Sequence, residues 1–133
     1  MEKIIVQIGW CDNYCAASNE ILGCVACSDT IEGIKKEYRS ALDFHIKGML
    51  EDGDELPEKL KNEYELVFEL DTSAMLHSLD GIVTRKAIAK VTGINEALLT
   101  HYANGFRKPR PVQRQRIIDG IHQIGRELTL IAV

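Results

Sequence analysis

TRKAIAKVTGINEALLTHYANGFRKPRP, residues 84–111, is punctuated as two short helices about a tight turn. Thr84 can accept an otherwise unpaired helical N–H and so start a helix over Arg85–Val91, with Ala87, Ile88 and Val91 apolar. Thr92-Gly93-Ile94 then turns the chain, because Gly93 can take positive φ at no steric cost. Asn95 caps a second helix, Glu96–Ala103, stopped by Asn104-Gly105. Two helices joined by a Gly-containing turn predict a helix-turn-helix. In the second helix Ile94, Leu98, Leu99 and Tyr102 recur at helical spacing and should pack inward. Glu96, Ala97, Thr100 and His101 are left outward, near the end that enters a major groove. Phe106–Pro111 follows with Arg107, Lys108 and Arg110 on a Pro-braced loop, cations suited to phosphate.

Working outward, Asp71-Thr72 can cap a short helix over Ser73–Leu79 that buries Ala74, Met75 and Leu79, and Asp80-Gly81 ends it. A last helix over Val112–Leu128 should turn Ile117, Ile118, Ile121, Ile124 and Leu128 inward, and Thr129–Val133 reads as a short strand. Gly81–Val133 carries nine Lys/Arg against three Asp/Glu, a net +6, whereas Met1–Asp80 carries seven against seventeen, a net −10. The overall −4 hides two halves of opposite sign. A basic half can approach phosphate; an acidic half repels nucleic acid and suits a basic protein. Moving the hinge to Leu70-Asp71 keeps the short helix with the helical half and trims that half to +4.

The acidic half alternates differently. Lys3–Trp10 reads as a strand with Ile4, Val6, Ile8 and Trp10 on one face. Asp12-Asn13 is turn chemistry, Tyr14–Ser18 a second strand and Leu22–Ser28 a third. Asp29-Thr30 supplies a helix cap; with Asp29 as the cap, Glu32 takes the capping-box position. The helix runs to about Leu50, with Ile31, Ile34, Tyr38, Ala41, Leu42, His45 and Met49 as its buried stripe. His45 there is a packed residue rather than a catalyst. Glu51–Glu63 is a loop, and Tyr64–Leu70 a fourth strand with Tyr64, Leu66, Phe68 and Leu70 on one face. The order β-β-β-α-β, followed by helices, predicts an α+β chain.

Cys11, Cys15, Cys24 and Cys27 are spaced C-x3-C and C-x2-C, which invites zinc. Cys24 and Cys27 are three apart in a strand, so their sulfurs face opposite ways, and buried reduced thiols are the better reading. No metal or other cofactor is expected. No apolar run reaches the roughly 18–20 residues that span a bilayer, and the apolar run after Met1-Glu2-Lys3 is shorter than a secretory core; no membrane association and a cytoplasmic location are expected. No Gly-rich phosphate loop, nucleophile elbow or paired His ligands occur, so no enzyme is expected.

Two stretches resemble a known family. GCVACSDTIEGIKKEYRSALDFHIKGMLEDGDELP (Gly23–Pro57) resembles the HicB-type antitoxins of bacterial type II toxin–antitoxin systems, in its Gly-Cys strand, Asp-Thr cap, Ala-Leu…His helix and acidic exit. Thr84–Pro111 resembles the lambda-repressor-like helix-turn-helix that many of those antitoxins carry C-terminally. Gly33 departs from the family's usual acidic residue, and the first strands are unusually rich in Cys. The resemblance implies a partial RNase H-like domain over residues 1–70 that masks a small basic mRNA-cleaving toxin of the HicA type. It implies a domain over 71–133 that represses its own operon. Nuclease activity, suggested by the RNase H likeness, needs carboxylates converging on metal ions, and the acids here sit in the Glu51–Glu58 loop and on alternating strand faces.

Taken together, the expectation is a non-enzymatic antitoxin and autorepressor that binds operator duplex DNA as a homodimer. Glu96, Ala97, Thr100 and His101 would meet the groove, and Thr84, Arg85, Arg107, Lys108 and Arg110 the phosphates. The alternative is a protein-interaction or dimerisation module that does not bind DNA.

Overall fold

Ile4, Val6 and Ile8 alternate with polar or half-exposed neighbours, and this period of two makes β1 (Glu2–Trp10) a strand with one fully buried face. The computed structural model describes residues 1–131, and among these the chain is α+β: a four-stranded mixed sheet and five α-helices. β2 (Tyr14–Ser18) returns antiparallel to β1, and β3 (Ile21–Ser28) pairs antiparallel with β2. β4 (Tyr64–Leu70) lies on the other side of β1 and parallel to it, with Ile4 opposite Leu66 and Val6 opposite Phe68. The sheet order is therefore β3-β2-β1-β4.

The β1–β2 ladder stops at Gln7 and Ala17, short of Ile5, whose backbone groups are left to be satisfied otherwise. Side chains do it. Ser18 Oγ donates to the Ile5 carbonyl at 2.7 Å, and Glu20 Oε2 accepts from the Ile5 N–H at 2.9 Å. Glu20 also pairs with Lys59, whose ammonium donates to the Lys3 carbonyl at 3.0 Å. The Lys59 hydrogen bond and the Ile5 N–H together hold the Glu20 carboxyl below its usual range. Lys59 belongs to a 3-10 turn, Glu58–Leu60, inside the segment expected to be a loop; Leu60 anchors it in the core.

One helix, α1 (Ile31–Glu51), covers one face of this sheet. Ile34, Tyr38 and Leu42, four residues apart, are fully buried against the strands. Phe68 on β4 meets Tyr38 edge-on at 6.2 Å, and Lys35 and Arg39 lie over its ring at 5.9 and 5.1 Å. His45 and Met49 are half-buried, at the rim rather than in the centre of the stripe. Of the two residues in the Asp29-Thr30 cap, the second serves. Thr30, not Asp29, accepts from the Gly33 N–H at 2.9 Å, which places Glu32 one residue short of the capping-box position. Gly33 occupies that position, and a Cβ there would collide with the Ser28 and Thr30 hydroxyls.

Of the four cysteines, only Cys24 is buried, facing α1 beside Tyr38, and burial raises its thiol pKa. Cys15 is half-buried, and Cys11 and Cys27 are exposed, so the expectation of buried thiols fails for three of four. The β2–β3 register explains two of these: Cys15 and Cys27 are directly paired, on the face that α1 does not cover.

The helices after β4 are α2 (Thr72–Ser78), α3 (Arg85–Thr92), α4 (Glu96–Ala103) and α5 (Pro111–Leu130). The chain divides into two compact units, Met1–Ala74 and Met75–Val133. The division falls four residues past Leu70 because Ala74 is fully buried in the sheet's core, whereas Leu76 joins the second core. In that second core Leu76, Ile88, Ile94, Leu99, Tyr102, Ala103 and Ile117 are buried. α5 continues through Leu130, so Thr129 and Leu130 are helical instead of forming a strand; Ala132 and Val133 lie outside the described residues. Leu128, an inward position by its spacing, is 56 % exposed. The spacing 117, 121, 124, 128, 131 keeps one apolar stripe along α5, and the stripe outruns the core that buries Ile117.

Candidate nucleic-acid interface

The turn between α3 and α4 is fixed from several sides. Gly93 adopts φ 74° and its N–H closes on the Ala89 carbonyl at 2.8 Å. Thr92 Oγ1 donates back to the Ile88 carbonyl at 2.7 Å and accepts from the Ile94 N–H at 3.2 Å. Arg116, from α5, donates to the Thr92 carbonyl at 2.6 Å, placing a cation on the negative end of α3. Close approach of α5 is possible because residue 120 is Gly; a Cβ there would run into the Thr92 methyl. His77 from α2 bonds the Ala103 carbonyl at 3.0 Å and so ties α2 to the end of α4.

α4 is presented by this frame. Asn95 accepts from the Ala97 N–H at 2.8 Å, and the adjacent carboxylate of Glu96 suits the helix N-terminus. Leu99 and Tyr102 face the core with Ile94, and Leu98 packs partly against it. Glu96, Ala97 and His101 are exposed and Thr100 is half-buried, so these four residues share the outer side of the helix. Thr84 caps α3, accepting from the Ala87 N–H at 3.0 Å, and its hydroxyl proton stays available to an acceptor. Thr84, Arg85, Glu96 and Thr100 border one shallow concavity. Arg107, Lys108 and Arg110 border another, together with Tyr102.

The cations are not equivalent. Arg107, Lys108 and Arg110 are exposed and make no ion pair among the described residues. Arg85 is half-buried, with Nη2 3.6 Å from Asp80 Oδ1 and a buried Nε without a hydrogen-bond partner. To meet a phosphate it would have to leave Asp80. Arg116 is committed to the Thr92 carbonyl. The exposed cations therefore concentrate on the loop after α4, with Lys86 and Lys90 exposed on α3.

Phe106 has no role in the sequence reading. It is 76 % exposed and packs edge-on to His101 with ring centroids 6.0 Å apart. Its N–H donates to the His101 carbonyl at 2.9 Å, which brings the loop back onto α4. An aromatic directly after Gly105, in an otherwise cationic loop, was the available signal. Among the described residues no cluster of three or more His, Cys, Asp or Glu is placed to hold a metal ion, and no helix is long and apolar enough to cross a membrane.

No protein-family model matches the sequence. Over 108 residues the chain is 27 % identical to an uncharacterized 14.9 kDa protein from the rep–hol intergenic region of Haemophilus phage HP1 (strain HP1c1), covering 79 % of this chain and 80 % of that one. The matched length exceeds either compact unit, so the likeness runs through parts of both.

Proposed function

We propose that this chain is a sequence-reading duplex DNA-binding protein whose helical unit docks α4 in the major groove. The observation that carries the reading is the pairing of an outward α4 face, Glu96, Ala97, Thr100 and His101, with an adjacent loop of three exposed cations. Thr100 can donate or accept at a base edge or touch a thymine methyl, and Glu96 can accept from a cytosine amino group. Arg107, Lys108 and Arg110 supply the phosphate contacts that set register. Thr84 contributes a hydroxyl at the start of α3. Arg85 joins only if phosphate displaces Asp80. The exposed apolar end of α5, Leu128 and Ile131, supports a homodimer, which would read two half-sites.

Within this reading, the finer role is that of a HicB-type antitoxin and autorepressor. It rests on the resemblance, on the β-β-β-α-β order with one helix on a sheet, and on the acidity of the first unit, which suits a small basic HicA-type toxin.

The test is selection of duplexes from a randomised library, followed by binding across a salt series. The parent should enrich a motif. Replacing both Arg107 and Lys108 with Ala should weaken binding to all duplexes and flatten the log–log salt slope by roughly 0.9 for each phosphate no longer neutralised. Thr100→Ala should change the selected base, by about 1–3 kcal/mol at one position. No enriched motif, or a double variant that binds like the parent at about 0.15 M salt, would refute the DNA reading. Co-expression with an adjacent small basic open reading frame and pull-down tests the antitoxin role separately; failure there leaves DNA binding standing and favours a solitary regulator.

A further inference from the structure

The sheet face that α1 leaves open carries a feature the DNA reading does not use. Cys15 and Cys27 are direct partners across the β2–β3 ladder, and their sulfurs are 2.8 Å apart. A covalent S–S bond is about 2.05 Å, so closure asks for roughly 0.75 Å of further approach. The ladder already fixes both backbones. Cys24 points to the opposite face and is buried beside Tyr38, which removes it from competition. Cys11 sits beyond the end of β1, exposed.

We propose that Cys15 and Cys27 form a dithiol site that takes low-molecular-weight disulfides of the glutathione class and closes to a cross-strand disulfide. The two sulfurs differ in role. Cys27 is exposed and can admit a bulky disulfide, whereas Cys15 is half-buried. Hydrogen bonding to Cys27, with burial adding, pushes the Cys15 thiol up to about 11, so Cys15 is a poor first attacker. In the first step the Cys27 sulfur, having lost its proton, attacks one sulfur of RSSR. The R–S–S–R bond breaks, RS⁻ leaves and takes up a proton, and Cys27 carries a mixed disulfide. In the second, the Cys15 sulfur gives up its proton and attacks the Cys27 sulfur, expelling a second RS⁻ that is protonated. Two thiols are oxidised and one RSSR becomes two RSH. The site stands independently of whether the helical unit binds DNA.

The experiment equilibrates the full-length protein in mixtures of oxidised and reduced glutathione, quenches with acid, alkylates the free thiols and measures mass. Cleavage after Glu2, Glu20 and Glu32 separates Lys3–Glu20, with Cys11 and Cys15, from Ile21–Glu32, with Cys24 and Cys27. The expected product is lighter by two hydrogens, has these peptides linked, and gives fragment ions that assign the link to Cys15 and Cys27. The folded protein should close this bond at a glutathione ratio at least tenfold more reducing than the same chain in denaturant. Cys27→Ser should abolish the link. A persistent glutathione adduct on Cys27 with Cys15 still alkylatable, a link through Cys11 or Cys24, or equal closure in folded and denatured chains would overturn the proposal.

Discussion

Gly120→Ala should destabilise the helical unit, although an Ala in a helix interior is ordinarily favoured over Gly by about 0.8–1.0 kcal/mol. Residue 120 is buried where α5 crosses the end of α3. The new Cβ would overlap the Thr92 methyl, while Val91 Cγ1 at 3.7 Å is at ordinary van der Waals distance. Thr92 cannot easily turn away, because its hydroxyl bonds both the Ile88 carbonyl and the Ile94 N–H. Overpacking of this kind costs about 1–3 kcal/mol, which exceeds the propensity gain and leaves a net loss of about 1 kcal/mol. Gly125 is the internal control: the same helix, exposed, with nothing within 4 Å of an added Cβ. Gly125→Ala should therefore stabilise by up to about 1 kcal/mol. Urea unfolding followed by circular dichroism measures both. Thr92→Ser removes the offending methyl and keeps the hydroxyl, so in that background Gly120→Ala should cease to destabilise. The reasoning is refuted if Gly120→Ala stabilises as much as Gly125→Ala, or if the double-mutant cycle with Thr92→Ser shows coupling below about 0.3 kcal/mol.

Two further outcomes are expected. Glu20 has a folded-state pKa held below the usual 4.5 by Lys59 and the Ile5 N–H, so its contribution is present above about pH 4.5 and is lost as pH falls through the lowered value. Glu20→Gln should flatten the acid limb of a melting-temperature profile, and an unchanged acid limb would show that the pair adds nothing. If α5 joins two copies, Leu128→Glu should shift sedimentation toward monomer without unfolding the helical unit, since Leu128 is 56 % exposed in the single chain. A dimer that survives the charge would place the interface elsewhere.

The inward face of α4 and the alternation of β1 were legible because each is a local period: Leu98, Leu99 and Tyr102 in one case, Ile4, Val6 and Ile8 in the other. What the sequence could not disclose depends on partners distant in the chain. A count of cations cannot tell that Arg85 leans on Asp80 or that Arg116 closes the end of α3. The thiols of Cys15 and Cys27 meet only through the β2–β3 register, a non-local fact. Between Asp29 and Thr30 both residues are competent caps, and the backbone chose the one whose hydroxyl reaches Gly33. At the other end, the β-branched Thr129 and Ile131 suggest a strand, yet the apolar spacing along α5 carries on and prevails.

The sheet order has a consequence for how the first unit comes into being. β1 is one of two inner strands, yet its neighbours are synthesised far apart: β2 follows almost at once, while Tyr64, which pairs with Glu2, arrives some sixty residues later. Until then one side of β1 is a bare row of N–H and C=O groups beside Ile4, Val6 and Ile8, an invitation to pair with another nascent chain. The helical unit carries no such exposure, because its core joins neighbours along the chain. The pairing of β4 with β1 is thus the most non-local step in assembling the sheet, and α1 lies within the crossover from β3 to β4 that the chain must complete to make it.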